Sequence, residues 1–199
     1  MPNPVRVAVL VSGGGSNLEA LLKAKAAGEL PRVEFVRVVS SKPGVFALER
    51  AKQYGVPFVV VERQAFADEE RFQRALEGAL VEVKVDVICL AGYLRRLDRR
   101  LIERYRGRIL NIHPALLPKF GGAGLYGHRV HEAVLASGEA ESGCTVHLVD
   151  EEYDHGPVLA QARVPVLKND TPEQLAARVL EQEHRLYPKT LRQFTEKLV

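Results

Sequence analysis

Tryptophan is absent, methionine occurs once, cysteine twice, and aromatic residues make up only 7% of the 199 positions. Two cysteines, Cys89 and Cys144, cannot build a disulfide framework, so the fold has to rest on its apolar core. Cys89 sits in the apolar stretch VDVICLAG and is expected as a small buried side chain rather than a reactive one. No apolar run reaches the roughly 18 residues of a membrane-spanning helix, and the longest is broken at Ser12. The first ten residues lack a basic stretch followed by a long apolar one, so no secretory signal is expected and the cytoplasm is the expected compartment. Neither sign of charge dominates. The 28 basic and 25 acidic residues leave a net +3 that is spread along the chain. That pattern is not a nucleic-acid footprint, although it tolerates an anionic ligand.

What is present is ordinary globular material, 46% hydrophobic and 27% charged, unlike a disordered or fibrous chain. A chain of this length suffices for one domain and buries roughly 70% of its unfolded surface on folding. Segments of strand and helix character alternate. Residues 5–11 are apolar except for one Arg, the pattern of a strand buried on both faces. A glycine-rich turn over 12–16 leads into a helix over 17–27, with Leu18, Leu21 and Leu22 on one face and Gly28 as its stop. Further strands are expected over 33–39, 58–61, 86–91 and 108–112, and helices over 45–54, 68–81, 98–105 and 130–136. Residues 143–149 and 158–166 have the character of paired strands, and a last helix is expected over 171–186, with Thr171 as N-cap and Pro172 in its first turn. This order predicts an α/β fold: a Rossmann-like open, mostly parallel sheet with helices on both faces and antiparallel strands added late in the chain. The expected loops over 114–127 and 150–157 are rich in Gly or Pro and carry polar groups. In such sheets ligands gather at the carboxyl ends of the strands.

The segment Ser12-Gly13-Gly14-Gly15-Ser16-Asn17 joins the first strand to the first helix. Glycines let the backbone approach an anion, free N–H groups at a helix start point at it, and Ser16 or Asn17 can add a bond or cap the helix. The competing reading is a tight turn with an ordinary Ser or Asn cap. A dinucleotide fingerprint needs a glycine where Leu18 stands and a carboxylate after the second strand, where Ser40 and Ser41 stand. A triphosphate loop needs Gly-Lys-Ser/Thr, which is absent. A nicotinamide-dependent oxidoreductase is thus the weaker alternative, and a monophosphate on a small substrate fits better.

In Arg108-Ile109-Leu110-Asn111-Ile112-His113-Pro114, Asn111 and His113 alternate, which on a strand puts both side chains on one face at its carboxyl end. Asn donates and accepts hydrogen bonds, and His exchanges a proton near neutral pH. The pair is able to hold and protonate an oxyanion during acyl transfer, or else is structural. The acidic loop Asp150-Glu151-Glu152-Tyr153-Asp154-His155 is either a solvated hairpin or the source of a carboxylate that raises the His113 pKa. Nothing in the spacing brings Asp154 to His113, and His155 competes as a proton carrier. The remaining histidines, His128, His131, His147 and His184, do not form a zinc motif, and no metal is implied. Glu183 shares an apolar stripe with Val179 and Leu186, so it either snorkels at a boundary or points into a pocket.

Five segments resemble the phosphoribosylglycinamide formyltransferase family: VLVSGGGSNLEALL, ICLAGYLRRL, ILNIHPALLP, GCTVHLVDEEYDHGPVLAQ and ARVLEQEHRLYP. They run in order over nearly the whole chain. The N-x-HPxLLP and D-x-GP segments are shared with other folate formyltransferases, and the SGGGSNLEAL opening is the one specific to this family. The resemblance implies formyl transfer from 10-formyltetrahydrofolate to glycinamide ribonucleotide in purine synthesis, with the folate as co-substrate and no metal. It implies Asn111, His113 and Asp154 as the catalytic trio, with Asp154 keeping His113 protonated. It further implies Gly15, Ser16 and Asn17 at the substrate phosphate and Glu183 at the ribose. Leu94, Arg95, Arg96 and Leu97, with Asn111 and Asp150, Glu151, Glu152, Tyr153 and Asp154, would surround the folate. One domain over 1–199 is implied, with a phosphate-binding half to about residue 100 and a folate-binding, catalytic half beyond. Glu69 stands near where some members have an Arg, and Leu180 where some have a polar residue. A transferase or formyl-folate hydrolase acting on another acceptor is the alternative within the same chemistry. Tails or leading domains are expected of those enzymes but not of this one. A sensor that binds without turnover is a third reading. A monomer or homodimer is expected, with no nucleic-acid or membrane partner.

Overall fold

Strands that are apolar at every position have to be covered on both sides, and the computed structural model, which describes residues 3–198, covers them so. The elements in chain order are β1 (Val5–Val11), α1 (Ser16–Ala26), β2 (Val33–Ser40), α2 (Phe46–Gln53), β3 (Phe58–Val60), α3 (Glu69–Val81), β4 (Val87–Leu90), α4 (Arg99–Arg104), β5 (Ile109–His113), α5 (His128–Ser137), β6 (Glu141–Leu148), β7 (Val158–Pro165) and α6 (Pro172–Lys197). One sheet carries the order β3-β2-β1-β4-β5-β6-β7. The first five strands run parallel, while β6 lies antiparallel to β5 and β7 antiparallel to β6. This is the expected architecture, including the late antiparallel strands.

The alternation of side chains along a strand sorts the core into two layers. Val7, Val9 and Val11 of β1 and Val87 and Cys89 of β4 pack with Leu18, Leu21 and Leu22 of α1 and Leu175, Val179, Tyr187 and Leu191 of α6. Ala8 and Leu10 of β1 and Ile88 and Leu90 of β4 face the other way, onto Phe72, Leu76 and Leu80 of α3 and Leu101 and Ile102 of α4. Each fully buried Leu contributes about 2 kcal/mol relative to exposure. Cys89 is buried as expected, and burial pushes its thiol up to about 12. Among the described residues no helix is long and apolar enough to cross a membrane.

Strand order reverses between β1 and β4. The crevice beyond their carboxyl ends is therefore flanked by loops that part in opposite directions, the usual ligand site of an open α/β sheet. Ser12, at the end of β1, ties the neighbouring loops together. Its Oγ accepts the Leu94 N–H at 2.9 Å and shares a 2.6 Å hydrogen bond with Ser41 Oγ.

Two local expectations are corrected. The last helix does not stop at 186 but runs through Pro188 to Lys197. Proline removes one backbone bond, but Tyr187, Leu191 and Thr195 beyond the expected end remain buried, and packing outweighs that loss. Its start follows expectation: Thr171 Oγ1 accepts the Gln174 N–H, and Gln174 Oε1 accepts the Thr171 N–H. The N-cap of α1 is neither Ser16 nor Asn17 but Gly15, whose φ of 72° is left-handed and which makes no side-chain bond.

Candidate active site

A cleft of about 650 Å³ opens over the carboxyl ends of the central strands. It is lined by Ser16 and Asn17 from the start of α1, by Leu94, Arg95, Arg96 and Leu97 after β4, by Asn111 and His113 from β5, by Asp150, Glu151, Glu152, Tyr153 and Asp154 after β6, and by Glu183 of α6. Of the catalytic, substrate and folate residues that the resemblance implies, Gly15 alone lies outside this lining. It sits behind the loop as a turn residue, where a side chain would stand 2.6 Å from Ala47 Cβ.

Asn111 and His113 both face the cleft, as alternation on β5 requires. The antiparallel pairing of β5 with β6 sets Asn111 opposite His147 and His113 opposite Thr145. His147 Nδ1 lies 2.9 Å from the Leu148 carbonyl, which only accepts, so that nitrogen carries the proton. Its Nε2 then accepts from Asn111 Nδ2 at 3.0 Å. Asp154 comes in from the loop after β6, with Oδ1 3.5 Å from Asn111 Nδ2 and Oδ2 3.5 Å from His113 Nδ1. Its backbone is left-handed, with φ 55°, an uncommon conformation for a residue with a side chain. The turn closes because Gly156 has no Cβ, which would lie 1.9 Å from the Leu148 carbonyl oxygen. The Gly122 N–H donates to Asp154 Oδ2 at 3.0 Å and holds the carboxylate in place. His155, the competing proton carrier, is exposed and pairs with Asp150 at 3.1 Å, outside the cleft lining.

Charge and burial compete in this cluster. Burial opposes ionisation of Asp154, but the neighbouring His147, whose Nε2 lies 3.5 Å from Oδ1, the His113 charge and the Gly122 N–H together outweigh it and hold the carboxyl below its ordinary range. For His113 the outcome is reversed. Burial pushes its pKa down further than Asp154 and the Phe120 carbonyl push it up. The expected rise is thus corrected to a fall: His113 is 4% exposed, and its Asp154 contact is too long to offset desolvation. His113 Nε2 lies 2.8 Å from the Phe120 carbonyl, so Nε2 carries the proton of the neutral ring.

Glu183 points inward rather than snorkelling. It is 7% exposed, and Oε2 accepts from Asn17 Nδ2 at 2.6 Å. Burial pushes its pKa up and the Asn17 bond pulls it part of the way back. Three cleft residues escaped sequence reasoning. In the sequence His147 is only one of the histidines outside a zinc motif, and its role depends on the pairing of β5 with β6. Gly122 acts through its backbone. His131 of α5 is 4% exposed with Nδ1 unpartnered, and burial, His128 and His113 push its pKa down to about 4.

With this geometry in view, the family comparisons agree. The formyl transferase family model matches residues 5–191. A solved phosphoribosylglycinamide formyltransferase from Brucella melitensis is 49% identical, superposes with a TM-score of 0.90, and is matched over 99% of this chain and 98% of that one. A phosphoribosylglycinamide formyltransferase from Haemophilus influenzae is 39% identical over 96% of this chain and 87% of its own. The trifunctional purine biosynthetic protein adenosine-3 of Drosophila melanogaster is 44% identical over 94% of this chain, which spans only 14% of that protein's length. The chain belongs to the formyl transferase family.

Proposed function

We propose that the chain transfers a formyl group from 10-formyltetrahydrofolate to the amine of glycinamide ribonucleotide, a step of de novo purine synthesis. One observation carries this reading: Asn111, His113 and Asp154 converge in a single cleft that also takes in the start of α1 and Glu183. The names of the full-length relatives support it.

The formyl folate supplies a carbonyl carbon that a neutral amine attacks, which puts negative charge on the formyl oxygen. Asn111 offers that oxygen the amide N–H it does not give to His147. His113 offers Nε2–H, and the Phe120 carbonyl that now accepts it marks the direction of donation. Burial keeps the imidazole mostly neutral beforehand. Charge growing on the formyl oxygen adds to that of Asp154 and draws a proton onto the ring when it is needed. Asp154, ionised and held by Gly122, takes up the proton of the amine through water; as the tetrahedral adduct collapses the formyl C–N10 bond breaks, and that proton passes to N10 of the departing tetrahydrofolate. Ser16, Asn17 and the backbone at Gly15 would hold the phosphate at the positive end of α1, and Glu183 the ribose hydroxyls. Leu94 to Leu97 and Asp150 to Asp154 would enclose the folate. The apolar floor formed there by Leu90, Ile102 and Val149 suits a flat ring system. The phosphate then falls mainly to residues before about 100, the chemistry to those after, all in one domain. This reading makes the chain a cytoplasmic enzyme, monomeric or homodimeric.

The test is an absorbance assay with 10-formyl-dideazafolate, with and without glycinamide ribonucleotide. Signal only with the acceptor is expected. Signal without it would make the chain a hydrolase, and no signal in either tube would overturn the reading.

A further inference from the structure

The carbonyl groups of the glycine loop are drawn towards protein donors. Gly13 O accepts the Ala47 N–H at 3.3 Å, and Gly14 O accepts Arg50 Nε–H at 2.9 Å. Both donors stand on α2, about one turn apart. Gly15 allows α2 this close, since a Cβ there would clash with Ala47. Arg50 is itself fixed. Its guanidinium lies 4.8 Å from the centre of the Phe46 ring, and Nη1 pairs with Glu19 in the first turn of α1. Lys23 also reaches Glu19, at 3.3 Å. In a planar trans peptide the N–H points opposite to the C=O. Holding the Gly13 and Gly14 carbonyls towards α2 therefore turns the Gly14 and Gly15 N–H groups away from it, towards the side where an anion would lie. The positive charge of Arg50 is already matched by Glu19, so the residue acts through loop geometry rather than as a free cation.

We infer that Arg50 is a positioning residue for the phosphate of the acceptor. It orients the loop N–H groups from behind and touches no substrate atom. This rests on the formyl-transfer reading above.

The experiment compares wild type with Arg50→Met, which keeps length and loses both donors, and with Arg50→Lys, which keeps one. Initial rates are measured with glycinamide ribonucleotide and with its dephosphorylated riboside. Arg50→Met is expected to raise KM for the phosphorylated acceptor about tenfold, with kcat at saturation and the donor KM within about twofold of wild type. Arg50→Lys should restore part of that KM, and kcat/KM for the riboside should be the same in all three proteins. An unchanged KM, or an equal loss with both acceptors, would overturn the inference. Binding of inorganic phosphate, followed through the Gly14 and Gly15 amide signals, tests the same point without turnover. Weaker phosphate binding in folded Arg50→Met supports the inference and equal binding refutes it. Failure of wild type to transfer formyl groups would instead count against the formyl-transfer reading. If Arg50→Met does not fold, Arg50→Lys carries the comparison alone.

Discussion

Asn17 and Glu183 lie 166 positions apart in the chain and meet at 2.6 Å, amide nitrogen to carboxylate oxygen, inside the cleft. The bond joins the start of α1 to the middle of α6 and is the main influence opposing the upward push of burial on the Glu183 pKa. Asn17→Ala leaves a buried carboxylate without its donor. It is expected to destabilise the fold by about 2 kcal/mol at neutral pH, measured by urea unfolding. Losing the bond raises the Glu183 pKa further, so the variant protonates first as the solution is acidified. The deficit should therefore shrink as the pH is lowered. A deficit independent of pH would mean that Glu183 is not ionised in the native cleft.

Asp154 is the largest influence raising the His113 pKa, although burial prevails. Asp154→Asn removes that influence, so the His113 pKa should fall further below the ordinary imidazole value. Ring-proton NMR titration of both proteins measures this directly. Formyl transfer should drop by about 10²–10⁴-fold in Asp154→Asn and in His113→Ala, with the fold retained in both. A near-wild-type rate in either would remove that residue from the mechanism, and a rise in the His113 pKa would contradict the electrostatics.

His147 accepts from the Asn111 amide and is itself held by the Leu148 carbonyl. His147→Ala frees Asn111 to rotate. We expect kcat to fall by about ten- to a hundredfold with KM for either substrate little changed, because misorientation acts on the reacting geometry. His147→Gln, which offers an acceptor at similar reach, should recover part of the loss. Steady-state kinetics on the two variants distinguish this from a packing effect, which would lower stability without separating kcat from KM.

His131 has its pKa pushed down to about 4 by burial and by two neighbouring histidines. Its ring signals should show no titration between about pH 5 and 8. The unfolded chain binds a proton near the ordinary value of 6.5 and the folded chain does not until about 4. Stability should therefore fall as pH drops between those values. His131→Phe should flatten that part of the stability profile, since it removes the titrating group while keeping a ring of similar size. A profile as steep as that of wild type would assign the acid sensitivity elsewhere, to His113 or His184, whose pKa values burial also pushes down.

How much of this was legible beforehand depended on how local the cause is. The continuous apolar runs of β1 and β4, the cap at Thr171 and the stop at Gly28 follow from side-chain period and backbone preference within a few residues. The sheet class followed from their order. The placing of Asn111 and His113 on one face followed from the two-residue repeat of a strand. Gly15 as the α1 cap escaped the same reasoning. The choice between it, Ser16 and Asn17 rests on how closely α2 approaches, and Asn17 is drawn off to Glu183.

The sequence alone therefore determined the layers, the position of the glycine loop at a helix start and, through five ordered segments, the family. The tertiary structure decided which of the scattered polar groups meet. It brought Asp154 to His113 through a left-handed turn and Glu183 to Asn17 across α6, and the β5–β6 register set His147 behind Asn111. It also reversed the expected direction of the His113 pKa. Hydrogen bonds and ion pairs act over a few ångströms of space, whatever the separation along the chain, and desolvation depends on everything packed around a group. Neither quantity exists until the chain has folded.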